Sequence, residues 1–235
     1  MNKTLTAATL AVLTAAALPA LAADGLAYNI GAFTEYSYRG ISQTRLKPAV
    51  QGGLDYTQGV FYAGAWASNI KWIKDGGGDA SVEVDLYAGY KGELSKGLGY
   101  DVGVLAYQYP GHKLGISPNT AEIYGALTYG PATLKYSHSV TNLFGFADSK
   151  NSGYLDLSAS FDVGSGMTLA PHIGHQRVAH TSAASYTDYS LTLSKDFSGV
   201  TVSGALIGTD ANGYVSPNGK DLGKARIVLG AKYNF

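Results

Sequence analysis

Cysteine is absent from the 235 residues. In a chain bound for an oxidising compartment, that excludes a disulfide framework and a Cys-ligated zinc site. Charge is scarce: Asp, Glu, Lys and Arg make up 14% of the chain, against roughly 25% in an average soluble domain. The 17 basic residues only balance 17 acidic ones, so the basic footprint that nucleic acid requires is missing. Beyond the N-terminal segment there is no apolar run long enough for a transmembrane helix and no convincing apolar period of 3.6 residues, which removes membrane helices and helical bundles from consideration. What is abundant is Gly, at 31, and Tyr, at 18.

The single long apolar run is N-terminal. In MNKTLTAATLAVLTAAALPALAA a basic Lys3 precedes a Leu/Ala/Val stretch that ends on the small-x-small triplet Ala20-Leu21-Ala22. This is the layout of a secretory signal peptide, and the run falls short of the ~20 apolar residues of a spanning helix. Residues 1–22 are therefore expected to be removed, leaving 23–235 as one domain. No Cys follows the cleavage site, which argues against N-terminal lipid anchoring.

The rest of the chain alternates. SVEVDLYAGYKGEL puts Val82, Val84, Leu86, Ala88 and Tyr90 on one face and Glu83, Asp85, Tyr87, Gly89, Lys91 and Glu93 on the other. YLDLSASFDV does the same with Leu155, Leu157, Ala159, Phe161 and Val163 against Asp156, Ser158, Ser160 and Asp162. Period two over such lengths is the signature of strands with one apolar face. It predicts twelve strands, at about 26–40, 49–57, 60–70, 80–93, 98–109, 120–129, 132–140, 153–163, 167–177, 185–196, 199–208 and 224–235. The intervening segments alternate between long stretches rich in Gly, Asn, Asp and Pro and tight turns such as QG, SKG, GP and GSG.

An even strand count, with every long loop at one end, matches a bacterial outer-membrane barrel: short periplasmic turns, longer extracellular loops. Backbone polar groups inside hydrocarbon must be paired, so a sheet there has to close on itself. The predicted fold is an all-β transmembrane antiparallel β-barrel in the outer membrane of a Gram-negative bacterium, with lipid outside it. Tyr28, Tyr90, Tyr100, Tyr129 and Tyr233 fall near the turn end of their strands, and Tyr36, Tyr38 and Tyr136 near the loop end. They are expected to form the two aromatic girdles. The chain closes with RIVLGAKYNF, where Ile227, Leu229, Ala231, Tyr233 and Phe235 share a face. Gly230, Tyr233 and the terminal Phe235 look like the signal read by the barrel-assembly machinery, although Val228 stands where that pattern usually has a polar residue.

The block EYSYRGISQTRLKPAVQGGLDYTQGVFYAGAWASNI, residues 35–70, resembles the N-terminal region of the TorF-type outer-membrane porin family, conserved hypothetical proteins of Gram-negative bacteria. EVDLYAGYKGEL and the last strand are similar to that family too. The resemblance implies a porin and supplies no substrate and no catalytic residue.

Catalytic chemistry is hard to find. In YSHSVTN, His138 and Ser139 are adjacent and so point to opposite faces of a strand, where a nucleophile and its base would have to meet. His172 and His175 likewise face opposite ways, with His180 in a loop, so no metal or other cofactor is expected. The polar faces carry ten acidic and five basic residues: Glu35, Glu83, Asp85, Glu93, Asp101, Glu122, Asp156, Asp162, Asp188 and Asp196 against Arg39, Lys91, Lys135, Arg226 and Lys232. Charge on the lipid face is costly, so these belong in the lumen. Glu93, Asp162 and Asp196 would lie only at its rim. Glu35, Arg39, Glu83, Asp85, Glu122, Lys135 and Arg226 are the candidate pore-lining set. Twelve strands lie between filled eight-stranded barrels and open sixteen-stranded ones. The function expected is therefore not enzymatic: a narrow passive channel for small hydrophilic solutes or ions, leaning toward cations. A non-conducting barrel acting through its loops and a lipid-modifying enzyme are the alternatives. The first loop, with Arg45 and Lys47, could turn inward or face solvent.

Overall fold

The computed structural model describes residues 24–235, so the expected signal peptide lies outside them. The elements in order are β1 (Gly25–Phe33), β2 (Ser37–Tyr38), β3 (Ile41–Ser42), β4 (Ala49–Gln58), β5 (Phe61–Asn69), α1 (Trp72–Asp75), β6 (Val82–Ser95), β7 (Leu98–Gln108), β8 (Thr120–Tyr129), β9 (Ala132–Ser139), β10 (Gly153–Ala159), β11 (Phe161–Asp162), β12 (Met167–Arg177), β13 (Tyr186–Phe197), β14 (Val200–Thr209) and β15 (Arg226–Asn234). Each wall strand pairs antiparallel with the next in sequence, and β10 with its continuation β11 counts as one. The ring closes between β1 and β15, with Ile30 opposite Tyr233 and Phe33 opposite Gly230. The result is the closed twelve-stranded antiparallel barrel that the alternation predicts.

All six long connections leave from one end of the barrel, and the five tight turns from the other. Both ends of the barrel chain lie at the turn end, where the backbones of Tyr28 and Phe235 exchange hydrogen bonds of 2.9 and 3.0 Å. The period-two pattern sorts the side chains as expected. Leu86, Leu127, Leu157, Ile173 and Leu191 stand outside and exposed, while Glu83, Glu122, Asp156 and Asp188 stand inside and buried. Tyr28, Tyr90, Tyr129 and Tyr233 are exposed near the turn end, and Tyr136 is exposed toward the loop end. The apolar clusters sit at the loop end, where Ile70, Ile73 and Ala80 pack on Tyr107 and Tyr109, and Leu143 packs with Val178 and Ala184.

One predicted strand is too long. The segment 26–40 leaves the wall at Phe33: on one side β4 starts opposite, at Ala49, and on the other the ladder with β15 stops at Gly230, although β15 itself continues to Arg226. Thr34 makes the last backbone bond along this edge, donating to the Leu229 carbonyl, and its hydroxyl accepts from the Leu229 N–H. The chain then turns into the barrel and back through Arg39 and Gly40, at φ 43° and 78°. Tyr36 and Tyr38 are therefore not girdle residues. Tyr36 is 4% exposed and both rings pack in the interior.

Candidate functional site

The site is the lumen and the chain that enters it. Residues 34–48 form the first loop, whose tip is the small β2–β3 hairpin. Polar groups brought inside a barrel must find partners, and those of the first loop find them on strands all round the wall. Glu35 accepts from Arg226 Nε of β15 at 2.5 Å, and Arg226 Nη2 donates to Ser37 Oγ at 3.1 Å and to the Gly40 carbonyl at 3.2 Å. The Tyr36 hydroxyl donates to Glu83 of β6 at 2.7 Å, and its ring meets Trp66 of β5 edge-on at 5.2 Å. Tyr38 packs edge-on against Tyr107 of β7 and Phe144.

Arg39 sits at the tip of the hairpin. Its guanidinium donates to both carboxylate oxygens of Glu122 on β8, at 3.0 and 2.8 Å, and to Gln176 Oε1 on β12 at 2.6 Å. It also lies over the ring of Tyr154 on β10, 4.1 Å from the centroid. Its side chain is 5% exposed and that of Glu122 2%. A bidentate pair this dry is held as a unit, because removing either partner strands a buried charge. Gly40 is required beside it: a Cβ there would run into Thr209 of β14 and Asp188 of β13. The first loop therefore spans the lumen and plugs its loop half.

Next to the plug lies a second cluster. His172 Nε2 is 2.7 Å from Asp156 Oδ2, and its Nδ1 is 3.6 Å from Asp188. The Tyr154 hydroxyl donates to Asp188 at 2.9 Å. Among the described residues the buried Asp85 Oδ1 has no hydrogen-bond partner; the same is true of both side-chain polar atoms of Gln51, and of Asp156 Oδ2 apart from its contact with His172.

In the turn half of the lumen the wall supplies a shelf of its own side chains. The Tyr62 and Tyr124 hydroxyls bond each other, Tyr62 donates to Asp101 at 2.6 Å, and Tyr87 donates to Asp55 at 2.6 Å. Lys135 lies 3.9 Å from the centroid of the Tyr124 ring. This shelf needs glycine beneath it. A Cβ at Gly89 would meet the Tyr62 hydroxyl at 2.5 Å, and one at Gly103 the Tyr124 hydroxyl at 2.6 Å.

All seven candidate pore-lining residues point inward, but they are not one group. Glu35 joins Arg226, and Arg39 joins Glu122. Glu83 holds the plug through Tyr36, Asp85 is left with an unpartnered oxygen, and Lys135 belongs to the tyrosine shelf. Sequence reasoning missed Asp55, and weighed His172 only as a metal ligand. Asp55 lies within an alternating stretch, and His172 sits at an inward register position opposite Ser158, so the period-two rule could have placed both. Of the assembly residues, Tyr233 and Phe235 face outward and Phe235 stacks on Tyr28 at 5.9 Å, while Gly230 makes room for the Phe33 ring. His138 faces outward and Ser139 inward at 1% exposure, so the two cannot act together. His172 and His175 likewise diverge. Among the described residues no group of three or more His, Asp or Glu is arranged to hold a metal. Outside the strands, the hydrogen bond from Lys113 to Asp79 at 2.8 Å holds that carboxyl below its ordinary value.

Known structures share this frame. A KdgM porin in complex with disordered oligogalacturonate superposes with a TM-score of 0.58 at 8% identity, over 89% of this chain and 98% of that one. A NanC porin superposes with a TM-score of 0.54 at 13% identity, over 90% and 99% of the two chains. At such identities the likeness is one of fold. No curated protein matches the chain. A family described as a bacterial protein of unknown function (Gcw_chp) matches residues 19–235, and the chain belongs to that family.

Proposed function

We propose that this protein is an outer-membrane porin, a narrow passive channel for small hydrophilic solutes or ions that leans toward cations, seen here with its first loop closed. The observation that carries the reading is the division of the barrel wall: apolar residues cover the outside of a sheet without edges, and ionisable residues face the inside. That division suits a polar path through hydrocarbon and has little use in water. The fold shared with two porins and the TorF-type resemblance agree with it. Export by the N-terminal segment, delivery to the barrel-assembly machinery by Gly230, Tyr233 and Phe235, and contact with outer-membrane lipid complete the reading.

The lean toward cations rests on the interior charges. Glu83 and Asp85 occupy alternate inward positions of β6, and among the described residues the buried Asp85 oxygen has no donor. A carboxylate in that position is stabilised by a passing cation and repels an anion. The polyanionic oligogalacturonate held by the KdgM porin is accordingly not the solute expected here. Single-channel recording from the refolded processed chain, in a salt gradient, tests the proposal. Discrete steps with a cation-shifted reversal potential support it, and Glu83→Lys with Asp85→Lys should move that potential toward anion preference. A folded barrel that stays silent under all conditions sinks it. The plug favours a second reading in that event, a non-conducting barrel that works through its loops.

A further inference from the structure

The outside of the barrel is apolar along most of its loop half, but not over β9, β10 and β12. The strands that contribute Arg to the wall are β12 and β15; Arg226 turns inward, and Arg177 is exposed on the outside. Register sets His138 and Arg177 on either side of Gly153. The Tyr136 ring lies across the space a Cβ at Gly153 would fill, and its hydroxyl reaches His138 Nδ1 at 3.4 Å. Asn151 ties the cluster together: its side-chain oxygen is 3.2 Å from His138 Nε2, and its carbonyl accepts from Arg177 Nη2 at 2.5 Å. His175 stands one step toward mid-barrel, exposed, and bonds Thr187 at 3.1 Å.

We infer that this cluster is a binding site for the phosphorylated headgroup of a lipid in the leaflet on the loop side of the membrane. The inference rests on the outer-membrane reading above. Three observations support it. First, the cluster sits just beyond the exposed apolar residues Leu134, Leu155, Leu157 and Ile173, so a lipid whose chains lie on them would bring its headgroup to Arg177 and His138. Second, among the described residues Arg177 makes no ion pair with a carboxylate. The acid beyond it, Asp148, contacts His180 at 3.1 Å, and Asp210 accepts from the Thr187 backbone at 2.6 Å. Third, one guanidinium nitrogen is anchored on Asn151, which leaves the rest of the fork aimed and available. An oriented guanidinium beside imidazoles is suited to phosphate oxygens, which it can bind in pairs, and basic clusters at the membrane boundary hold anionic headgroups.

Native mass spectrometry of the processed barrel in detergent micelles tests this, with diphosphorylated lipid A and the same lipid stripped of phosphate as probes. The wild type should carry the phosphorylated lipid in preference to the stripped one. Arg177→Glu, and separately Arg177→Ala with His138→Ala, should weaken that adduct by about tenfold or more. Arg177→Lys should keep part of it, and Lys113→Ala, elsewhere on the loops, should change nothing. Equal binding of both lipids overturns the proposal, as does an adduct untouched by the Arg177 variants, or one with the mass of a second chain. Insertion into lipid vesicles, read by heat-modifiable gel mobility, is scored in parallel. A chain that never inserts overturns the membrane reading and this site with it; a chain that inserts but ignores phosphate overturns this site alone.

Discussion

The two halves of the lumen solve the same problem in different ways. In the turn half the wall supplies its own contacts: Tyr62 reaches Tyr124 and Asp101, and Tyr87 reaches Asp55, each across the intervening strands, so every group involved belongs to the wall strands β4 to β8. In the loop half a separate piece of chain is inserted between the wall strands. The first loop engages β6, β7, β8, β10, β12 and β15 at once. A shelf made by the wall can change only if the barrel changes. A plug held by side-chain bonds can leave while the barrel stays intact, which makes it the natural place for a passage to open.

The largest effect is therefore expected from removing the plug. Replacing residues 36–42 with a short Gly-Ser link should leave the β1–β15 and β1–β4 ladders in place and raise conductance several-fold, since twelve strands enclose more space than side chains alone fill. Unchanged conductance in a folded barrel would place the constriction in the tyrosine shelf instead.

Second comes the lock itself. Arg39→Ala leaves Glu122 buried without its partner and should cost roughly 3–5 kcal/mol in denaturant unfolding from micelles. If the plug can instead swing out and hydrate Glu122, the loss will be smaller and channel openings longer and more frequent. Neither a stability change nor a gating change would show that the pair does not hold the loop.

Third, the shelf should be sensitive where the plug is not. A Cβ at Gly103 would lie 2.6 Å from the Ala88 carbonyl and from the Tyr124 hydroxyl, so Gly103→Ala should destabilise by about 1–3 kcal/mol through overpacking. At Gly125 the nearest atom would be 3.9 Å away, and Gly125→Ala should be neutral or slightly stabilising. Equal unfolding midpoints for the two variants would mean that the shelf is not packed as described.

The contrast also explains what was legible in the sequence. The wall was legible because period two is imposed locally, residue by residue, by an apolar outside and a polar lumen; the bounds of β4, β8 and β12 fall within a residue of expectation. The plug was not. Glu35-Tyr36-Ser37-Tyr38 alternates polar residues with two strand-forming tyrosines, so it reads as four more residues of β1. What diverts it is the start of β4 at Ala49, which leaves the residues past Phe33 with β15 alone, and the side-chain partners that wait across the lumen, facts about distant strands. The candidate residues show the same division. Facing inward follows from alternation alone, so the lumen assignments of Glu83, Asp85, Glu122, Lys135 and Arg226 could be made. Pairing is long-range: nothing near Arg39 in sequence announces Glu122, which is 83 positions away. Part of the glycine is in turns at positive φ, but that within strands has a reason that sequence alone could not supply, namely the rings that cross above positions such as Gly89 and Gly103.

The smallest equilibrium effect is expected at the seam, where both halves depend on closure. Phe235 bonds Tyr28 through backbone in both directions, and its ring stacks on Tyr28 at 5.9 Å and on Tyr233 at 5.4 Å. Phe235→Ala keeps the backbone bonds and loses only the stacking, about 0.5–1.5 kcal/mol. If the terminal ring is also read during assembly, the same variant should accumulate outside the membrane in cells far more than so small a loss explains, while refolding normally into micelles. Refolding and cellular assembly that fall together, in proportion to the stability loss, would reduce Phe235 to a packing residue and leave the closure of the barrel to the β1–β15 ladder alone.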